Sequence, residues 1–169
     1  MIGAVVLAAG ASTRFGAPKQ RLLLAEVVDR VRQSSVDELV VVTGAHPLET
    51  DARLVECPEW ERGGGASLRC GLAALAAETE AAVVVLADGP DLAPAAIDRV
   101  IDRWRAGTGG VLAASYGGVR GHPVLLARSV WAGVPDEGAR ALEPVLVPCD
   151  DLGAPGDVDY PDDLPERLR

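Results

Sequence analysis

Three short runs of small aliphatic residues limit what this chain can become. Residues 2–8 read IGAVVLA, residues 37–43 read DELVVVT and residues 81–87 read AAVVVLA. Each run is rich in β-branched residues and apolar at consecutive positions. That pattern marks a strand covered on both faces, as in a parallel sheet. Between them the period changes. Leu22, Leu23, Val27, Val28 and Val31 fall at helical spacing and predict a helix over 21–33, and an alanine- and leucine-rich helix is predicted over 67–77. Pro94 sits where a first helical turn tolerates proline and opens a helix to about Arg105, which the glycines of 107–110 stop. Strands over 111–115 and 122–127 flank a Gly117-Gly118 turn, and a last strand over 145–148 precedes a tail rich in aspartate and proline. Strand–helix alternation of this kind predicts a doubly wound α/β sheet, mostly parallel, with helices on both faces. No repeat or linker divides it, so one domain over residues 1–169 is expected.

Composition narrows the function. Lys and Arg number 16 against 25 Asp and Glu, a net charge of −9. Such a chain is a poor electrostatic partner for nucleic acid. No apolar run is long enough to span a bilayer and Met1 opens directly into strand-like sequence, so a cytoplasmic protein without membrane contact is expected. Cys57, Cys70 and Cys149 form no metal-ligand spacing and read as reduced thiols.

In doubly wound sheets, ligands bind beyond the carboxyl ends of the strands. Two chemistry-bearing segments lie there. LAAGASTRFGAPK, residues 7–19, follows the first strand as a loop. Its small residues, Leu7, Ala8, Ala9 and Gly10 onward, let backbone N–H groups approach phosphates. Ser12 and Thr13 add hydroxyls, and Arg14 and Lys19 supply two cations for a triphosphate. The segment lacks the ending of a P-loop and the GxGxxG of a dinucleotide site. Asp88 ends the AAVVVLA strand, where one carboxylate with phosphate oxygens suits Mg²⁺; Asp91 reads as a cap or turn residue. Asp157 and Asp159, two residues apart in GDVDYP, share one side if extended, and either offers a second metal ligand.

Two further segments are candidates for contact. In WERGGGASLRCG, residues 60–71, glycines including Gly63 and Gly71 allow backbone to lie against a flat base, while Ser67 is either a helix cap or a base contact. In GVRGHPV, residues 118–124, His122 follows Gly121 in a hairpin and reads equally as a structural or a substrate-facing imidazole. His46 carries no assignment, and Trp104 and Trp131 read as packing residues.

Taken in order, these segments resemble the MobA-like nucleotidyltransferases, and among them most closely the molybdenum cofactor cytidylyltransferases. LAAGASTRFGAPK resembles the family's signature loop, LADGPDLAP its metal-aspartate strand end, and GGVRGHPVLL, DEGARAL and GDVDYPDDL its substrate and second metal segments. The resemblance implies a Rossmann-like fold, Mg²⁺, an NTP donor and pyrophosphate as product. It implies that Arg14 and Lys19 hold the triphosphate, that Asp88 and Asp159 hold the metal, and that His122, Gly138 and Arg140 face a phosphorylated pterin such as molybdopterin. A molybdoenzyme or its maturation factor is the implied partner. Ala9 stands where members with LAAG use CTP and those with LAGG use GTP. Two alternatives stay open: another NTP or acceptor, and a shortened paralogue that binds nucleotide without turnover.

Overall fold

The computed structural model describes residues 1–10 and 17–169, with the side chains of 17–20 outside the description. Seven strands form one sheet: β1 (Ile2–Leu7), β2 (Glu38–Thr43), β3 (Arg53–Glu56), β4 (Ala81–Leu86), β5 (Val111–Tyr116), β6 (Val119–Ala127) and β7 (Val145–Pro148). Their order is β3-β2-β1-β4-β6-β5-β7. β6 runs antiparallel to both of its neighbours, and all other pairings are parallel. Among the described residues, three α-helices cover the sheet: α1 (Ala17–Arg32), α2 (Gly64–Ala74) and α3 (Pro94–Arg105).

The sheet is buried on both faces, as its continuous apolar runs require. Along β1, Ala4 and Val6 face one layer with Leu24, Val27 and Val28 of α1 and Ile97 and Val100 of α3. Val5 faces the other with Leu68 and Leu72 of α2. This is the Rossmann-like, doubly wound, mostly parallel sheet that the alternation predicts. Among the described residues, no helix is long and apolar enough to cross a membrane.

Four local expectations need correction. First, α1 begins at Ala17, so the backbone of Lys19 belongs to the helix and not to the preceding loop; proline in a first turn costs no hydrogen bond. Second, α2 begins at Gly64, ahead of the expected Ser67, and its N-cap is Gly63, so Ser67 is not the cap. Third, β3 was not anticipated. It is a four-residue edge strand paired only with β2, and its exposed charged ends hide it in the sequence. Fourth, Cys57 and Cys70 are paired as a disulfide with Cα atoms 5.9 Å apart, and only Cys149 is a free thiol among the described residues. Their separation of 13 residues says nothing of this, because the fold brings the end of β3 against α2.

α2 lies close on the sheet because of Gly71. A Cβ there would sit 2.5 Å from Val5 and 2.9 Å from Val42. Gly71, expected at the nucleotide, is therefore a helix–sheet contact. Gly71→Ala should lower unfolding stability by about 1–3 kcal/mol through overpacking. Urea denaturation checks this, and wild-type stability in that variant would contradict it.

Candidate active site

The site forms where β1 and β4 end side by side. Leu7 pairs with Leu86, and the Ala87 N–H donates to the Leu7 carbonyl (3.1 Å). This sets Ala8–Gly10 next to Asp88. On the other side, Ala8 N–H donates to Val42 (2.9 Å) and Ala45 N–H to Ala9 (3.2 Å), drawing the loop after β2 against the first loop. The result is a cavity of about 290 Å³ lined by Leu7, Ala8, Ala9, Gly10, Ser67 and Asp88. Ser12, Thr13 and Arg14 lie outside the described residues, as does the side chain of Lys19.

Asp88 is the distinctive group. Its Oδ1 is buried and has no hydrogen-bond partner among the described residues. Burial, then the charge of Asp157 and, more weakly, that of Asp159, pushes its carboxyl up to about 6. The backbone brings those charges near, because the Val158 N–H donates to the Asp88 carbonyl (3.1 Å). Val158 is buried while Asp157 and Asp159 on either side of it are exposed, as period-two backbone dictates. Among the described residues, no group of three or more His, Cys, Asp or Glu is arranged to hold a metal by itself. An orphaned carboxylate oxygen with two carboxylates in electrostatic range still fits a hard cation that takes its remaining ligands from phosphate and water.

Two further cavities adjoin the first. One of about 410 Å³ shares Leu7, Gly64 and Leu86 with it and reaches His122, Gly138 and Arg140. The other, about 480 Å³, lies between Tyr116, His122 and Asp157. Arg120 and Gly121 line both. His122 is half-buried, and burial, reinforced by the Arg120 cation, pulls its pKa down to about 4. It is a neutral imidazole at pH 7. The hairpin thus carries Gly121 and His122 to one wall, and the loop before β7 carries Gly138 and Arg140 to the other.

Several residues that shape the site escape sequence reasoning. His46 and Leu48, after β2, line the first cavity, as do Gly64 and Val158; only the position of His46 at a strand's carboxyl end hints at this. Arg120 donates to the carbonyls of Ala139 (2.9 Å), Leu142 (2.8 Å) and Arg140 (3.3 Å), so its cation holds the loop that presents Arg140. Gly65 N–H donates to Asp136 (2.9 Å), and a Cβ at Gly65 would sit 1.7 Å from the Pro135 carbonyl oxygen. That close approach explains the glycine run that opens α2.

The sequence matches the MobA-like NTP transferase domain over residues 4–146. The chain belongs to the MobA-like NTP transferase family. It is an enzyme of the nucleotidyltransferase kind. Rv0371c of Mycobacterium tuberculosis H37Rv is 32% identical, with 96% of this chain and 95% of that one covered and a TM-score of 0.77. The same protein solved as a complex with manganese is 30% identical over 96% and 95%, with a TM-score of 0.75. An Rv0371c homologue from Mycobacterium sp. strain JC1 is 26% identical over 99% and 94%, with a TM-score of 0.80. No curated protein matches the sequence.

Because folding favours the acid form of Asp88 more than the unfolded chain does, its contribution to stability is complete below the ordinary 3.8 and lost as pH rises through about 6. In metal-free protein at pH 8, Asp88→Asn should therefore be more stable than wild type, by on the order of 2–3 kcal/mol. The two should converge below about pH 4 in denaturant titrations followed by circular dichroism. An Asn variant less stable at pH 8 would contradict the assignment of Asp88 as an uncompensated carboxylate.

Proposed function

We propose that this enzyme transfers a nucleoside monophosphate, CMP by preference, from an NTP to the phosphate of a small acceptor, in the manner of a molybdenum cofactor cytidylyltransferase. The observation that carries this reading is the buried, partnerless oxygen of Asp88, which lines the glycine-loop cavity within electrostatic range of the tail carboxylates. Asp88, with Asp157 or Asp159, would hold Mg²⁺, which when bound would neutralise charge on the donor's phosphates.

The chain's own residues supply position and charge. The backbone of Ala8–Gly10 borders the donor cavity with Ser67 and Gly64. Arg14 and Lys19 are assigned to the triphosphate from the sequence pattern and the family resemblance. The acceptor occupies the adjoining space beside His122, Gly121, Gly138 and Arg140. Arg140 is exposed and, among the described residues, forms no ion pair, which leaves its guanidinium for an anionic acceptor. An acceptor phosphate oxygen attacks the α-phosphorus; that P–O bond forms as the bond to the β-phosphate oxygen breaks, and pyrophosphate departs. The attacking phosphate is already ionised at neutral pH, so no protein base is needed, and rate comes from alignment and charge neutralisation. The neutral His122 acts here as a hydrogen-bonding wall. CTP is favoured through Ala9 in the LAAG loop. A molybdopterin-type acceptor is favoured by the resemblance of the hairpin and of the Gly138–Arg140 stretch.

Pyrophosphate release measured with each NTP, Mg²⁺ and a molybdopterin-type acceptor tests the reading. Release with CTP that depends on acceptor is expected, and Asp88→Asn should lower the rate at least about 100-fold while the fold survives. Release with GTP alone would reassign the donor, and wild-type turnover by Asp88→Asn would remove Asp88 from the site.

A further inference from the structure

We propose that Arg167, which does not line the donor cavity and forms no ion pair with Asp88, Asp157 or Asp159, is a positioning residue that holds the tail carboxylates against Asp88 for cation binding. This inference rests on the metal reading of Asp88 given above.

The tail crosses the Asp88 loop at two backbone hydrogen bonds, Val158 N–H to Asp88 (3.1 Å) and Asp91 N–H to Pro155 (2.9 Å). Asp157 and Asp159 ride on this crossing. Their charges and that of Asp88 repel one another, and this repulsion acts to lift the tail away. Something must offset it. Part of the offset is apolar: Val158 and Leu164 pack on Leu23 of α1, with Leu168 against them. The Asp163 carboxylate also accepts the N–H groups of Asp159 (3.2 Å) and Tyr160 (2.9 Å), which makes the segment from Asp159 to Leu164 one folded unit.

Just beyond that unit, the guanidinium of Arg167 ties the tail to the rest of the fold. Arg167 pairs with Asp91 (2.8 Å), donates to the Pro90 carbonyl (3.0 Å) and reaches Glu26 of α1 (3.4 Å). Glu26 in turn pairs with Arg30 (3.0 Å), and Arg30 donates to the Leu92 carbonyl (3.1 Å). One side chain therefore joins the tail to the loop that carries Asp88 and to the helix that follows the phosphate loop. An isolated exposed ion pair would contribute little, but three attachments of one planar group fix a direction as well as a distance. Arg169, close by, donates to the Leu164 and Asp162 carbonyls and so binds the tail only to itself. It provides a control.

Mn²⁺ alone, titrated into the full-length protein with free ion read by electron paramagnetic resonance, tests the proposal. Arg167→Ala should bind Mn²⁺ about tenfold more weakly than wild type, the low end of what loss of a ligand-orienting residue costs. Arg167→Lys should recover part of that loss, and Arg169→Ala should match wild type. Arg167→Ala with wild-type affinity would overturn the proposal. So would an equal loss in Arg169→Ala, which would mean that general tail stability is at work. If Asp88→Asn binds Mn²⁺ as wild type does, the metal reading itself fails and the proposal falls with it; that result differs from loss of the Arg167 effect alone.

Discussion

A carboxylate oxygen at the end of β4 is withdrawn from water and given no donor, and the candidate site is arranged around that fact. Unpaired buried charge is costly, and natural folds avoid it unless something else arrives to compensate. Here the surroundings make the cost larger, since Asp157 and Asp159 add negative charge on the side where Asp88 is already desolvated. The backbone sets the frame of this arrangement. Parallel pairing of β1 and β4 fixes the loop ends side by side, and one hydrogen bond from Val158 to the Asp88 carbonyl sets the tail across them. On the function proposed above, a cation arrives with its own anionic ligand, a nucleoside triphosphate that supplies both charge and oxygen atoms.

The second half of the site depends on cations used structurally. Arg120 spends its guanidinium on three carbonyls of the 139–142 loop, which carries Arg140 to the rim of the cavity beside His122. Arg69 does the same for the preceding turn through Val134 and Asp136. In a chain of net charge −9, the anion recognition proposed above is local, with Arg120 and Arg69 holding the backbone that carries Arg140.

How much of this the sequence discloses follows from how local each cause is. Buried parallel strands announce themselves as unbroken aliphatic runs, so β1, β2 and β4 are legible to within a residue or two. The carboxyl-end rule then locates Ala8–Gly10 and Asp88 without a structure. β3 is not legible, because a short edge strand with charged ends lacks a buried run. The start of α2 is misread because glycine is a poor helix former, and only the approach of the Pro135 carbonyl explains its use there. The Cys57–Cys70 pairing, the span of Arg120 to the 139–142 loop and the reach of Arg167 to Asp91 are tertiary facts, joining residues whose neighbours in sequence give no sign of them. His46 lies between these cases: its place beyond β2 follows the carboxyl-end rule, while its share in the cavity wall needs the Ala45–Ala9 hydrogen bond.

The central claim is that Asp88, the tail carboxylates and the first loop form one metal–nucleotide site. Anomalous diffraction from crystals grown with Mn²⁺ and a non-hydrolysable CTP analogue tests it most directly. The account predicts a Mn²⁺ peak within about 2.0–2.3 Å of a carboxylate oxygen of Asp88 and of Asp157 or Asp159, with the analogue's phosphates in its coordination sphere and its triphosphate against residues 8–19. A peak elsewhere, with the Asp88 carboxylate left without a cation while the analogue is bound, would contradict it.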